Sequence, residues 1–140
     1  MDTLNFKPTF LGQCIIKYQV PLDIFTSINQ IYEQNYSNLA PANGQLVGKI
    51  EKEHSLYYHG EDQTKMKNHN FLPKNVTDYF MQVFNHYLNF NAIRDYKTHL
   101  NSVWVNEMKQ HEYNPAHIHR GMLYTGSSSV MILKLHSTYG

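Results

Sequence analysis

The chain has 140 residues, of which 41% are hydrophobic and 16% charged, and this predicts one globular domain that is large enough to bury a core. The net charge is +1 and the basic residues form no run, which argues against a surface that binds nucleic acid through its phosphates. The single cysteine, Cys14, excludes an intramolecular disulfide and fits a reducing compartment. Because no leader-like or membrane-spanning apolar segment is recognised, we expect a cytoplasmic protein that has neither nucleic acid nor a membrane as its partner.

The first third of the chain predicts a strand, a helix and a loop. Alternating apolar residues predict the strand over residues 9–20, in which Cys14 and Ile16 share a face. Apolar residues at helical spacing then predict a helix over residues 22–34, with Pro21 at its start. The polar segment 35–48 is predicted to be a loop.

The middle of the chain predicts one or two short strands over residues 45–59, a second loop over residues 60–74, and then a helix. Asn75 and Asp78 have the spacing of a capping box and predict the start of this helix. Its apolar stripe is the strongest in the sequence and consists of Val76, Tyr79, Phe80, Val83, Phe84, Tyr87 and Leu88. We interpret the stripe as core packing rather than as a cofactor site.

Strands predominate in the last third of the chain. Alternation predicts a strand over residues 99–108, a polar turn over residues 109–115, and further strands over residues 117–124 and 127–136. Helices that precede a run of strands predict an α+β fold. We expect a single domain, 1–140, in which residues 1–97 form a strand and helix region and residues 98–140 contribute the first strands of the sheet core.

The most specific candidate site is the pair His117 and His119. Side chains two residues apart in a strand point to the same face, so the two imidazoles could hold one metal ion. The alternative is that both are ordinary strand residues that are hydrogen-bonded to backbone or water. Iron, zinc or copper would need at least one further protein ligand.

Cupins also carry two histidines at this spacing, and a glutamate follows the pair a few residues later. Here the next residues, RGMLY, contain no glutamate. A cupin-like metal site would therefore require the fold to place a carboxylate, such as that of Glu107 or Glu112, beside the histidines.

The segment NSVWVNEMKQHEYNPAHIHRGMLYTGSSSVMILKL resembles the core of 2-oxoglutarate- and iron(II)-dependent oxygenases, relatives of the prolyl hydroxylases, and residues 46–60 and 69–88 resemble the N-terminal portion of the forms carried by large tailed phages. Trp104 and Asn106 match a W-x-N strand of that family. Asn114 and His117 match its N-x-x-H turn, and residues 128–131 match the next strand. The likeness over residues 46–60 and 69–88 is less specific.

The resemblance implies a double-stranded β-helix, which is a jelly roll, with N-terminal helices packed on it. It implies Fe(II) bound by His117, with His119 at a position that is usually Asp or Glu. 2-Oxoglutarate would be the co-substrate, and Tyr113 and Tyr124 are candidates to hydrogen-bond it; core packing is their ordinary alternative. The implied reaction is the hydroxylation of an unidentified second substrate, coupled to decarboxylation of 2-oxoglutarate.

The sequence departs from the family at two points. His119 replaces the usual carboxylate, and no counterpart is found for the distal histidine or for the arginine that pairs with 2-oxoglutarate. We therefore expect the N-terminal part of an oxygenase, completed by downstream sequence, that pairs with a second copy as a homo-oligomer or with a complementary C-terminal fragment. The alternative is a non-catalytic binding or structural phage accessory protein. No catalytic residue is assigned, because no Ser-His-Asp arrangement or carboxylate pair is recognised.

Overall fold

The computed structural model describes residues 4–41, 48–60, 63–64 and 66–115. Within these ranges the chain forms two α-helices and two antiparallel β-sheets, so the predicted α+β class is confirmed. The strands predicted over residues 117–124 and 127–136 lie outside the described residues, as does most of the predicted sheet core, residues 98–140.

The first sheet is a hairpin of two strands, β1 (Phe6–Leu11) and β2 (Gln13–Tyr18). Gly12 alone separates them and has a φ of 86°, a left-handed conformation that glycine adopts without steric cost. The prediction of one strand over residues 9–20 was therefore wrong, because the chain reverses at Gly12. The predicted alternation within β2 is confirmed, since Cys14 is half-buried and Ile15 is exposed.

The two helices lie close to the predicted ranges. The first, α1, spans Leu22–Asn35 and the second, α2, spans Lys74–Phe90. Both pack into one core with the larger sheet, and its buried members are Ile24, Ile28, Leu39, Leu56, Leu72, Val76, Tyr79, Phe80 and Val83. The predicted core packing is therefore confirmed for the first part of the α2 stripe, Val76, Tyr79, Phe80 and Val83, against which Phe84 packs.

The start of α2 differs from the predicted capping box. Pro73 occupies the N-cap position with extended backbone (φ −69°, ψ 159°), and its carbonyl accepts the amide of Thr77 at 3.2 Å. Asn75 lies inside the first turn, and Asp78 forms an ion pair with Lys74 instead of capping the helix. The helix begins earlier than predicted because Pro73 has the fixed φ that precedes a first turn.

The larger sheet has four strands, β3 (Ala40–Pro41), β4 (Lys52–Tyr58), β5 (His69–Asn70) and β6 (Ser102–Glu107). All of β6 pairs antiparallel with β4, whereas β3 and β5 each pair with only two residues of β4. The predicted loops over residues 35–48 and 60–74 thus contain the two short strands, and β4 is the strand to which the others bind.

Alternate residues of β4 and β6 lie on two faces of the sheet, which carry different chemistry. One face, here called the helix face, consists of Lys52, His54, Val105 and Glu107. Val105 packs against the core, and Glu107 accepts a hydrogen bond from Tyr32 of α1, which shows that this face is turned toward the helices.

The opposite face, here called the far face, consists of Glu53, Ser55, Trp104 and Asn106. The register pairs Glu53 with Asn106 and Ser55 with Trp104, so the four side chains form two adjacent cross-strand pairs. A register shift after Ser55 marks a β-bulge at Leu56, whose side chain is fully buried in the core. The bulge therefore ends the regular part of the far face.

Candidate functional site

The far face contains two buried oxygen atoms that have no hydrogen-bond partner. They are Oε1 of Glu53, a residue that is only 3% exposed, and Oδ1 of Asn106. Because the two residues are direct partners across β4 and β6, their Cβ atoms are about 5 Å apart. The sheet thus brings together two acceptors and gives neither of them a donor.

This arrangement is unfavourable for the folded chain. A buried polar group without a partner costs roughly 1–3 kcal/mol, and most buried polar groups in proteins are hydrogen-bonded. Burial also raises the pKa of the Glu53 carboxyl, because the charged form loses its hydration. Among the described residues, no ion pair includes Glu53. Polar atoms that are kept in a buried place at the expense of stability mark a candidate functional site.

Ser55, on the same face, forms a partly buried hydrogen bond with a histidine. His69 Nε2 lies 2.8 Å from Ser55 Oγ, and His69 Nδ1 lies 2.9 Å from the carbonyl oxygen of Lys67. A carbonyl only accepts, so Nδ1 donates to Lys67, and the Ser55 hydroxyl also lies 3.4 Å from the Tyr57 carbonyl oxygen. Unlike Glu53, Ser55 has a side-chain partner for its hydroxyl, so this pair leaves no polar atom in need of a ligand.

Trp104 forms the accessible part of the far face. It lies opposite Ser55 and two residues from Asn106, and it is 38% exposed. It is also the single tryptophan of the chain. An indole at this position presents a flat aromatic surface beside the two buried acceptors.

The helix face carries a polar cluster of a different kind. The Tyr32 hydroxyl donates to Glu107 Oε1 at 2.7 Å, and Lys52 Nζ lies 3.4 Å from Glu107 Oε2. His54 Nδ1 is 3.2 Å from the same tyrosine hydroxyl. The hydrogen bond from Tyr32 lowers the pKa of Glu107, and burial together with Glu107 raises that of Tyr32. Each carboxylate oxygen of Glu107 therefore has a hydrogen-bond partner, and the cluster links α1 to the sheet.

The two carboxylates named for a cupin-like site are both engaged elsewhere. Glu107 belongs to the helix-face cluster. Glu112 accepts the backbone amides of Glu51 at 3.1 Å and of Lys109 at 2.6 Å. Each oxygen of both carboxylates accepts a hydrogen bond, and His117 and His119 lie outside the described residues, so the cupin-like alternative stays a prediction.

Of the predicted site residues, Tyr113 is described and His117, His119 and Tyr124 lie outside the described residues. Tyr113 is 57% exposed, and its backbone exchanges hydrogen bonds of 3.0 and 3.1 Å with Lys49. The chain approaches so closely here that a Cβ on Gly48 would lie 2.5 Å from the Tyr113 carbonyl oxygen. In the part of the chain that the structure describes, no three or more His, Cys, Asp or Glu side chains are grouped to hold a metal.

Comparison with known proteins assigns no family to the chain. No protein-family model, no curated protein and no solved structure matches it. The helices of the described residues include none that is long and apolar enough to cross a membrane, and the longer of them, α2, has 17 residues.

The sequence singled out Trp104 and Asn106 but missed Glu53 and His69. The only local signal for Glu53 is that β4, a strand whose other half is apolar, starts with the polar run KEHS. That run does not show which of its members is buried. The pairing of Glu53 with Asn106 joins positions far apart in the sequence and is visible only in the sheet.

Proposed function

We propose that the protein is an iron(II)- and 2-oxoglutarate-dependent oxygenase of the hydroxylase type, in which His117 and His119 bind the metal. The observation that carries the proposal is the far face, where buried acceptors without partners lie on the side of the sheet opposite to the face that contacts the helices. The W-x-N segment of the family resemblance forms β6, and its Asn106 is one of these acceptors. In this proposal the far face is the inner surface of a jelly roll, and α1 and α2 cover the outer surface.

The residue types fit the proposed ligands. Imidazole suits iron(II), and two histidines at strand spacing are the ligand pair that the sequence offers. Bound iron would supply the oxidising chemistry, and the protein would bind and orient the substrate and keep water away. Tyr113 and Tyr124 are the proposed hydrogen-bond donors to the carboxylates of 2-oxoglutarate. Glu53 and Asn106 do not suit that role, because two acceptors repel an anion.

A metal titration tests the proposal. Cobalt(II), an air-stable probe for an iron(II) site, is titrated into the metal-free chain and followed by calorimetry and visible absorption. We expect one-to-one binding that His117→Ala abolishes and His119→Ala weakens, with the Co(II) spectrum shifting when 2-oxoglutarate is added. The control is His99→Ala, the same change at an exposed residue just before β6, which we expect to leave binding unaltered.

One outcome of the titration would contradict the proposal. If His117→Ala binds cobalt(II) as the unmodified chain does, the ligand assignment fails. The non-catalytic binding or structural protein then becomes the better interpretation of the same framework.

A further inference from the structure

The chemistry of the far face defines the kind of group that it can bind. Oε1 of Glu53 and Oδ1 of Asn106 are both acceptors, and neither has a donor within hydrogen-bond distance. Water does not reach either atom. A ligand group that bonds these two oxygens contributes N–H or O–H donors, and it reaches them only by displacing protein atoms.

The charge of the site favours a cation. Glu53 is an acid that is 97% buried, and the ion pairs of the described residues involve Glu51, Asp78 and Glu107 but not Glu53. The lysine next to it in the sequence, Lys52, points to the helix face, where it pairs with Glu107. A positive group that entered the far face would be the counter-charge that this carboxylate lacks.

A metal ion fits the site less well than an organic cation. Hard cations take six or more oxygen ligands, and this face offers two acceptors without partners. Both ring nitrogens of His69, the histidine that contacts Ser55 of this face, are already engaged by Ser55 and Lys67. A guanidinium or alkylammonium group needs only acceptors and an aromatic surface, and Trp104 supplies that surface on the same face.

We propose that the far face is a binding site for an organic cation with N–H donors, held by Glu53 and Asn106 and covered by the indole of Trp104. As a binding site it needs no metal and no co-substrate. If the bound cation is also the substrate that is oxidised, that substrate carries a guanidinium or an amine. This second role of the site rests on the proposed function.

The test uses the whole 140-residue chain without metal, and Trp104 fluorescence as the signal. Ethylguanidinium, ethylammonium and the uncharged ethylurea, which has nearly the same shape as ethylguanidinium, are titrated separately. We expect a saturable fluorescence change and a raised melting temperature with at least one of the two cations and neither effect with ethylurea. The two cations distinguish a guanidinium site from an amine site.

Substitutions test whether the cation binds at the far face. Glu53→Gln preserves the shape of the side chain and removes its charge, and Asn106→Ala removes the second acceptor; each is expected to weaken cation binding on the order of tenfold. The control is Glu33→Gln, the same chemical change at an exposed position of α1, which is expected to bind like the unmodified chain. The melting temperature without ligand shows that each variant is folded.

The proposal is overturned if ethylurea gives the same titration as ethylguanidinium, if neither cation changes fluorescence or melting temperature, or if Glu53→Gln retains full affinity. These outcomes are independent of the cobalt(II) titration. A chain that binds cobalt(II) through His117 and no cation lacks this site, whereas the reverse result rejects the metal assignment and retains the site.

Discussion

The two faces of the larger sheet place a glutamate in opposite environments. Glu107 on the helix face has a donor for each carboxylate oxygen, and its pKa is lowered. Glu53 on the far face has a buried oxygen with no donor, and its pKa is raised. The two residues lie on adjacent strands, and only the direction in which they point separates their roles.

The difference arises from what covers each face. Helix α1 brings Tyr32 to the helix face. The Tyr32 hydroxyl donates a hydrogen bond to Glu107 and lies within hydrogen-bond distance of His54. On the far face, the described residues include no side chain that hydrogen-bonds Glu53. A satisfied polar network is typical of a structural junction, and a buried polar atom without a partner is an exception that calls for a specific explanation, which we propose is a bound ligand.

Removing the donor on the helix face should have the largest effect on stability. Tyr32→Phe leaves Glu107 without its shortest hydrogen bond, and we expect the free energy of unfolding in urea to fall by about 1.5 kcal/mol at pH 7. The matched control is Tyr113→Phe at an exposed tyrosine, where we expect a change of at most a few tenths of a kcal/mol. Equal losses in the two variants would show that Tyr32 contributes no special contact.

The pH dependence of that loss follows from the direction of the Glu107 shift. A lowered pKa in the folded state gives stability that is present above the unfolded pKa and disappears as the pH falls through the folded value. The difference between Tyr32→Phe and the unmodified chain should therefore shrink on acidification. Urea denaturation repeated from pH 7 down to about pH 3 measures it.

Neutralising the far-face acid should have a smaller effect of the opposite sign. The Glu53 carboxyl has a raised pKa in the folded state, so its ionisation opposes folding once the pH exceeds the unfolded value. Glu53→Gln should stabilise the chain on the order of 1 kcal/mol at pH 7, and the gain should vanish below about pH 4. Glu107→Gln, the same change on the helix face, should destabilise. Shifts of the same sign in both variants would contradict the distinction between the faces.

The smallest effect on the free energy of unfolding is expected for an ion pair that lies outside the sheet. Lys74 and Asp78 form an exposed ion pair in the first turn of α2. Because water screens both charges, Lys74→Ala should lower the free energy of unfolding by less than about 0.5 kcal/mol. A thermal melt beside that of Tyr32→Phe gives the comparison, and a loss as large as that variant's would mean that exposed polar pairs matter here as much as buried ones.

Local patterns predicted the helices well and the turns poorly. The spacing of apolar residues gave α1 and α2 nearly at their observed bounds, because one side of each helix must face the core. The alternation of apolar residues continues on both sides of Gly12, so it did not predict that the chain reverses there. The polar spacing of Asn75 and Asp78 suggested a cap, but Pro73 began the helix earlier.

The candidate site could be predicted only in part. Trp104 and Asn106 belong to a motif that the sequence itself displays, and β6 confirms that they lie in a strand. The buried state of Glu53 has no such signature, because a strand periodicity assigns two faces without stating which one is covered. The hydrogen bonds from Tyr32 to Glu107 and from Glu51 to Glu112 were equally hidden, since these donors are distant in the sequence.

By itself, the sequence determined the α+β class, the two helices and the two-residue spacing of His117 and His119, since these depend on residues that are near neighbours along the chain. The tertiary structure alone decided that Glu53 lies opposite Asn106 and that Glu107 lies beneath Tyr32. Strand register and helix docking join residues that are dozens of positions apart. Which polar atoms receive a partner is therefore fixed by packing and not by any local pattern.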